Sequence, residues 1–224
     1  MTGTIFYDGP SMLDGKPIVA IATTSSTNRK TGDMIQTWIL RRNIDPVRSV
    51  SEGYDRSVCG DCYHRGSKDR PRTCYVNIGQ APLSVWRAFR RGSYRRGPLP
   101  THKPVRMGAY GDPVAVPWHA WNGIHTANKW TGYTHQWREL HAQPFKNVLM
   151  ASCDNVGEAA EAAAAGWRTF LVTAYDSTEG PPDHILCPSE SGTSCIDCGL
   201  CAGMQHADAP SIYIPAHGTA KRFV

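Results

Sequence analysis

The sequence predicts an α/β fold: a partial, open β/α barrel with an N-terminal hairpin and long cysteine-bearing loops. Three patterns carry this reading. After residue 100, short apolar runs rich in β-branched residues alternate with helical or turn-rich stretches, as parallel β/α units do. Four such runs are clear, too few to close an eight-fold barrel. Ahead of them, two β-rich runs flank a polar turn. Between and after these parts lie two long irregular stretches that hold seven of the eight cysteines, and a loop of such length inside one domain is usually ordered by function or by a cofactor. A doubly wound sheet is the second architecture that this alternation allows.

The elements follow in order. Residues 17–23 (P-I-V-A-I-A-T) and 34–40 (M-I-Q-T-W-I-L), joined by T-S-S-T-N-R-K-T-G-D, form a hairpin within residues 1–42. Residues 43–80 are a cysteine loop. Residues 81–224 hold the β/α units and a second cysteine loop at 187–201. Leu83, Trp86, Ala88 and Phe89 recur near helical spacing, so 81–93 is a helix, ended by the Pro-rich stretch 97–104. Residues 105–110 are a strand and 116–129 a helix with Pro117 near its start. A short strand follows at 132–135 and a buried one at 147–152. Residues 155–166 carry an Asn start, a Glu three residues on, an Ala-rich body and a Gly stop, all helix signals. Strands at 168–173 and 211–215 complete the sheet.

Composition narrows the class. With 224 residues and 41% hydrophobic content the chain can bury a core as one domain. Only 19% of residues are charged while Gly (21) and Pro (16) are plentiful, which favours shaped loops over a helical bundle. The first residues show no basic-then-apolar leader and no run approaches a membrane span, so the expected compartment is the cytoplasm. There, closely spaced cysteines are metal ligands or redox groups rather than disulfides. No Walker loop, G-x-S-x-G or H-E-x-x-H occurs, which removes support from three common enzyme classes.

The cysteines carry the chemistry. Cys187, Cys195, Cys198 and Cys201 fall within fifteen residues, the last three at C-x-x-C-x-x-C. Four thiolates suit zinc or iron–sulfur, but structural zinc prefers two separate C-x₂₋₄-C pairs, whereas three consecutive cysteines at this spacing open the bacterial ferredoxin run. A [4Fe–4S] cluster is therefore preferred and zinc is the alternative. Cys59, Cys62 and Cys74 offer three thiolates. They hold a second cluster with one iron open to substrate or to S-adenosylmethionine, or they take a fourth ligand from His64, Cys153 or the other group; a zinc knuckle with His64 is the plainer alternative. Cys153, alone at a strand end, reads as a small buried hydrophobe.

In a β/α sheet ligands sit beyond the C-terminal ends of the strands. Asp112 follows the strand 105–110, Asp154 the strand 147–152, and the four-cysteine loop the strand 168–173. Asp112, His135 and His217 are the catalytic candidates on this ground, each balanced by a structural role in a turn or core, and Trp137 would line the same mouth. Asp154 and Asn155 read more simply as helix caps. The net charge of +5 is uneven: Arg87, Arg90, Arg91, Arg95 and Arg96 fall in one short window. Such a window grips nucleic acid or is a solvated face.

Several blocks carry a resemblance. C-G-D-C-Y-H-R…T-C-Y-V-N-I-G-Q-A-P-L-S-V-W-R, R-M-G-A-Y-G-D-P, T-G-Y-T-H-Q-W, M-A-S-C-D-N…E-A-A-E-A-A-A-A-G-W-R-T-F and C-I-D-C-G-L-C-A-G resemble, in this order, a cysteine-rich family of phage-encoded and bacterial proteins without established function. That family is similar in layout to radical S-adenosylmethionine enzymes, with an early cysteine loop and then a partial barrel. Those enzymes carry C-x-x-x-C-x-x-C; here C-x-x-C is followed by a third cysteine twelve residues on. The resemblance implies a phage-type iron–sulfur protein of the host cytosol and supplies no reaction. Three functions are thus open: a redox or radical-type iron–sulfur protein, a zinc-stabilised nucleic-acid-binding protein, and an electron-transfer protein. Oligomeric state and redox partner are not legible.

Overall fold

Residues 3–10 (G-T-I-F-Y-D-G-P) have too little apolar alternation to read as a strand, yet they form the first one. In the computed structural model, which describes residues 2–224, β1 (Gly3–Pro10), β2 (Pro17–Thr23) and β3 (Ile35–Arg41) make an antiparallel meander. The hairpin of β2 and β3 is as the sequence predicts. β4 (Arg95–Arg96) is a two-residue strand parallel to β1. The rest is parallel: β5 (Val105–Tyr110), β6 (Trp130–Thr134), β7 (Met150–Cys153), β8 (Thr169–Thr173), β9 (His184–Leu186) and β10 (Ser211–Pro215). All join one sheet of ten strands in the order β4-β1-β2-β3-β5-β6-β7-β8-β10-β9.

From β3 to β8 the order runs in sequence and never reverses. The two short edge strands depart from sequence order: β4 lies outside β1, and β9 is displaced outward by β10. A doubly wound sheet needs a reversal at its centre, so that alternative is set aside. The chain is a mixed α/β protein built on one sheet.

Each parallel strand separates its residues by face, as the two-residue period of a strand requires. Val105, Met107, Ala109, Trp130, Ala151, Cys153, Leu171 and Tyr213 enter the main core. There, α4 (Val156–Ala164) packs Ala159 and Ala162 against the sheet. Met150, Phe170, Ile212 and Ile214 point the other way and form a smaller core with Cys201. Cys153 is wholly buried in the main core with its thiol on the Ala151 carbonyl, 3.6 Å away. It packs as the small hydrophobe that its position suggested.

Helices follow the local signals with one exception. α3 (Ala81–Arg90) is where the periodicity placed it. α4 begins at the Asn155 cap, whose side chain accepts from the Glu158 N–H. Within residues 43–80 lie α1 (Pro46–Ser51), capped by Asp45, and the single turn α2 (Arg56–Cys59). The helix predicted over 116–129 is instead two 3₁₀ turns, Trp118–Trp121 and Ile124–Thr126. Gly123 between them sits at φ 93°, a conformation that breaks a helix and that glycine alone adopts without strain. The turns let Trp121 and Ile124 both reach the core, fully buried.

Arg168, just before β8, is buried (5% exposed) and faces no carboxylate. Its guanidinium instead donates to four backbone carbonyls of one segment: Leu200 (2.8 Å), Gly203 (3.0 Å), Ala209 (3.0 Å) and Pro210 (2.6 Å). Burial holds its pKa below the ordinary arginine value, but the four acceptors solvate the cation in place of water. Gly203, at φ 60°, brings this segment against the Lys146–Leu149 backbone, where a Cβ would lie 2.6 Å from the Lys146 oxygen. Replacing Arg168 by Met removes all four bonds and strands buried carbonyls. The expected loss is about 3–5 kcal/mol, read as a fall in the chemical-denaturation midpoint; Arg168→Lys, with a point charge in place of a planar fork, recovers only part of it.

Candidate functional site

One face of the parallel sheet lines a cavity of about 240 Å³. Arg106, Gly108 and Tyr110 of β5, Thr131 and Tyr133 of β6, Ser152 of β7, Phe170 and Val172 of β8 and Ile214 of β10 all face it. Most of these alternate along their strands with residues of the main core, which Tyr110 also joins. The two cysteine loops cover the cavity: Cys59, Cys62 and Cys74 line it from one side, Cys187 and Cys195 from the other. All eight cysteines are free thiols.

The first loop leaves the C-terminal end of β3. Asp55, buried at 2% exposure, anchors it by receiving Arg65 at 2.6 Å. The His64 carbonyl accepts from both the Thr73 and Cys74 N–H groups, which folds Cys74 back beside Cys59 and Cys62. Gly60, between the first two cysteines, has φ 57° and packs on Gln136, whose amide nitrogen a Cβ would approach to 2.5 Å. Asp112 ties this loop to the sheet. Its N–H donates to the Val58 carbonyl at 2.6 Å. Its carboxylate accepts from the Val114 N–H, the Thr134 hydroxyl and the His135 N–H at 2.9–3.0 Å. Burial raises its pKa, against the neighbouring His135 and these bonds. Through these three bonds Asp112 closes the turn after β5 and positions His135.

The second loop departs from the strand-end rule. Cys187 follows β9, and its N–H bonds the middle of β10 at Tyr213, 2.8 Å away. The chain then crosses the cavity-lining face of the sheet. α5 (Cys195–Cys198) begins with Cys195 and Ile196 donating to Lys30 and Thr31, ahead of β3. Lys129, just before β6, donates to the Ile196 and Asp197 carbonyls at 3.2 and 3.0 Å. Arg168 holds the next turn from the start of β8. So Cys195, Cys198 and Cys201 cover the end where strands begin, not where they finish. The sequence order after β8 suggested the opposite; fixed cations at strand starts draw the loop's carbonyls back.

Within each group the thiols are close enough to raise one another's pKa. Burial is the larger cause. It pushes Cys59 well above the ordinary thiol value, and Cys62 and Cys201 to about 12. Cys74 and Cys195 are also raised by burial, opposed by Arg72 and Arg106 respectively. Tyr133, itself raised by burial, lies against Cys201 and favours its thiolate.

No family model matches the chain, and no curated protein or solved structure is similar to it. The residues must therefore speak for themselves. His135 and His217 both line the cavity, as the strand-end argument placed them; His217 stacks on Tyr75 at 4.7 Å. Trp137 is buried on the far side of His135 and lines a second, smaller polar cavity under Arg138. Asp154 does not cap α4. Its N–H donates to Glu158, while its carboxylate turns to His64 at 2.9 Å. Burial raises its pKa, but contact with His64 and the charge of His135 outweigh this and leave it below the ordinary value. Arg106 and Tyr133 were missed; a charged and a phenolic residue on alternate positions of buried strands was the available signal. The five arginines from Arg87 to Arg96 are all exposed and touch none of this.

The raised thiol values have a testable sign. Metal-free protein at about pH 8 keeps Cys62 and Cys201 protonated, so iodoacetamide alkylates both far more slowly than an ordinary cysteine. The rate at each rises as pH approaches about 12, as read by mass spectrometry of the labelled peptides.

Proposed function

We propose that the chain is an iron–sulfur protein in which two thiol groups flank one substrate cavity, with a redox or radical-type reaction inside. The observation that carries this reading is that two cysteine loops, distant in sequence, cover one cavity on one face of the sheet. Cys187, Cys195, Cys198 and Cys201 would hold one cluster with a complete set of thiolates. Cys59, Cys62 and Cys74 would hold another with one position short. When bound, such clusters supply one-electron chemistry at the cavity wall.

The spacing of the sulfurs favours a cluster over zinc. Four thiolates on one tetrahedral zinc at 2.3 Å lie about 3.8 Å apart. Among the described residues neither cysteine group draws three sulfurs within 4.8 Å of one another, a looser grouping than one zinc ion requires. The sheet supports the partial-barrel form of the fold. A run of parallel strands whose order advances without reversal from β3 to β8 is the arrangement from which a partial barrel is built.

The chain's own residues shape the substrate. Phe170, Val172 and Ile214 give the cavity an apolar wall that excludes water. Arg106, donating to the Tyr75 hydroxyl at 2.8 Å, and Lys30 supply positive charge, which suits a substrate with an anionic group. A simple electron carrier has no use for such a cavity, so the electron-transfer reading ranks lower.

Anaerobically purified protein is expected to be brown, to absorb near 400 nm (an approximate position for sulfur-to-iron charge transfer), and to contain iron and sulfide in equal amounts. Cys198→Ser should cut both roughly by half. Stoichiometric zinc without sulfide would sink the reading.

A second reading rests on the arginine face. Arg87, Arg90, Arg91, Arg95 and Arg96 are all exposed, and among the described residues only Arg96 is ion-paired, with Asp8. This face fits a nucleic-acid backbone. Its mark would be binding to duplex or single-stranded DNA whose log affinity falls linearly with log salt and which Arg87→Glu with Arg91→Glu abolishes. Equal binding by that variant removes it.

A further inference from the structure

Three side chains from three separate elements meet behind the first cysteine loop. His64 belongs to the 3₁₀ turn Tyr63–Arg65, His135 follows β6 and Asp154 follows β7. Among the described residues they are the one trio of His, Cys, Asp or Glu whose ligand atoms all lie within 4.8 Å of one another. We infer that His64, His135 and Asp154 form a mononuclear site for a divalent transition-metal ion, set in the wall between the large cavity and the smaller polar one.

The distances have the right scale. Asp154 Oδ1 is 2.9 Å from His64 Nε2 and 3.9 Å from His135 Nε2. Nitrogen and oxygen ligands at 2.0–2.1 Å around a tetrahedral ion stand about 3.3 Å apart, midway between the two. Two imidazoles and one carboxylate with a position left over is the donor set of mononuclear iron and zinc sites that do chemistry.

The ligand atoms are already gathered. His64 Nε2 and Asp154 Oδ1 are both sealed from solvent and face one another as a close pair at 2.9 Å, with His135 Nε2 next to the same oxygen. The surrounding bonds already orient the ligands. His64 Nδ1 meets the Thr73 hydroxyl at 2.8 Å, which turns Nε2 toward the site. Asp112 fixes the His135 backbone, and Glu158 the Asp154 backbone. Such outer contacts are what hold metal ligands in register.

There is also a way in and a face to work on. The smaller cavity, about 120 Å³, is lined by the carboxylates of Asp61, Glu139, Asp154 and Glu158 against the single guanidinium of Arg138, which leaves a net acidic approach for a cation. His64 and His135 line the large cavity as well, so a fourth position on the ion opens toward the substrate space. Cys62 lies 3.5 Å from His135 Nε2, which places the ion beside the first thiol group. The inference does not rest on the iron–sulfur reading, because none of its three ligands is a cysteine.

Mn²⁺ is the probe, since it takes nitrogen and oxygen donors and ignores thiolates. Titrated into anaerobically purified full-length protein and followed by loss of the free-ion EPR signal, it should saturate at one ion per chain. Asp154→Asn and His135→Gln should each weaken binding tenfold or more, and Thr73→Val about tenfold through His64. Cys198→Ser should leave the affinity unchanged. Iron and sulfide measured on the same samples keep the two readings apart: either can fail while the other stands. Absence of saturable Mn²⁺ binding, or equal affinity in both ligand variants, overturns the inference.

Discussion

The buried guanidinium of Arg168 is the interaction on which the site depends. A lone cation inside a protein is tolerated only when its surroundings replace water. Here the replacement is the backbone of the segment from Leu200 to Pro210, on both sides of the last cysteine, wrapped on the guanidinium through four carbonyls. One side chain at the foot of β8 thus fixes where a loop of irregular structure must lie. Lys129 does the same, at the foot of β6, for the turn that carries Cys195 and Cys198. The loop has little apolar content of its own. Its position is set by the acceptor geometry of its main chain.

The opposite end of the sheet is organised by a carboxylate. Asp112 gathers an N–H from the turn after β5, a hydroxyl from the end of β6 and the N–H of the residue that follows it, and its own N–H reaches into the first cysteine loop. A cation at strand starts and an anion at strand ends each recruit one cysteine loop over the same face of the sheet. The cavity is the space that the two loops leave between them.

Much of this was legible in the sequence. The hairpin of β2 and β3, the strands β5, β7, β8 and β10 and the helix α4 follow from runs of β-branched residues, caps and stops. The missed strands are those with least to show: β4 and β9 have two and three residues, and β1 mixes polar and small residues. The helix expected over 116–129 failed because Gly123 takes a left-handed conformation that apolar periodicity does not reveal. The cysteine groups were visible from spacing alone. What spacing could not convey was direction. A loop that follows a strand normally stays at that strand's end, and this one runs back because Arg168 and Lys129 hold it from below. Asp154 was read as a cap because it stands beside Asn155; only the fold shows that Asn155 takes that role and frees its neighbour for His64.

The margins of the sheet have a consequence for the protein in a crowded solution. A ten-stranded sheet ordinarily offers two long rows of unpaired amides to any passing strand. Here one margin is two exposed arginines, with Asp8 bridging Arg96 and Arg42 behind them. The other is three residues hemmed by Pro181, Pro182 and Pro188. β4 covers β1 only at Thr4 and Ile5, so what discourages a second copy from extending the ladder there is charge on the margin and the Pro10 that ends β1, rather than a shortage of main chain.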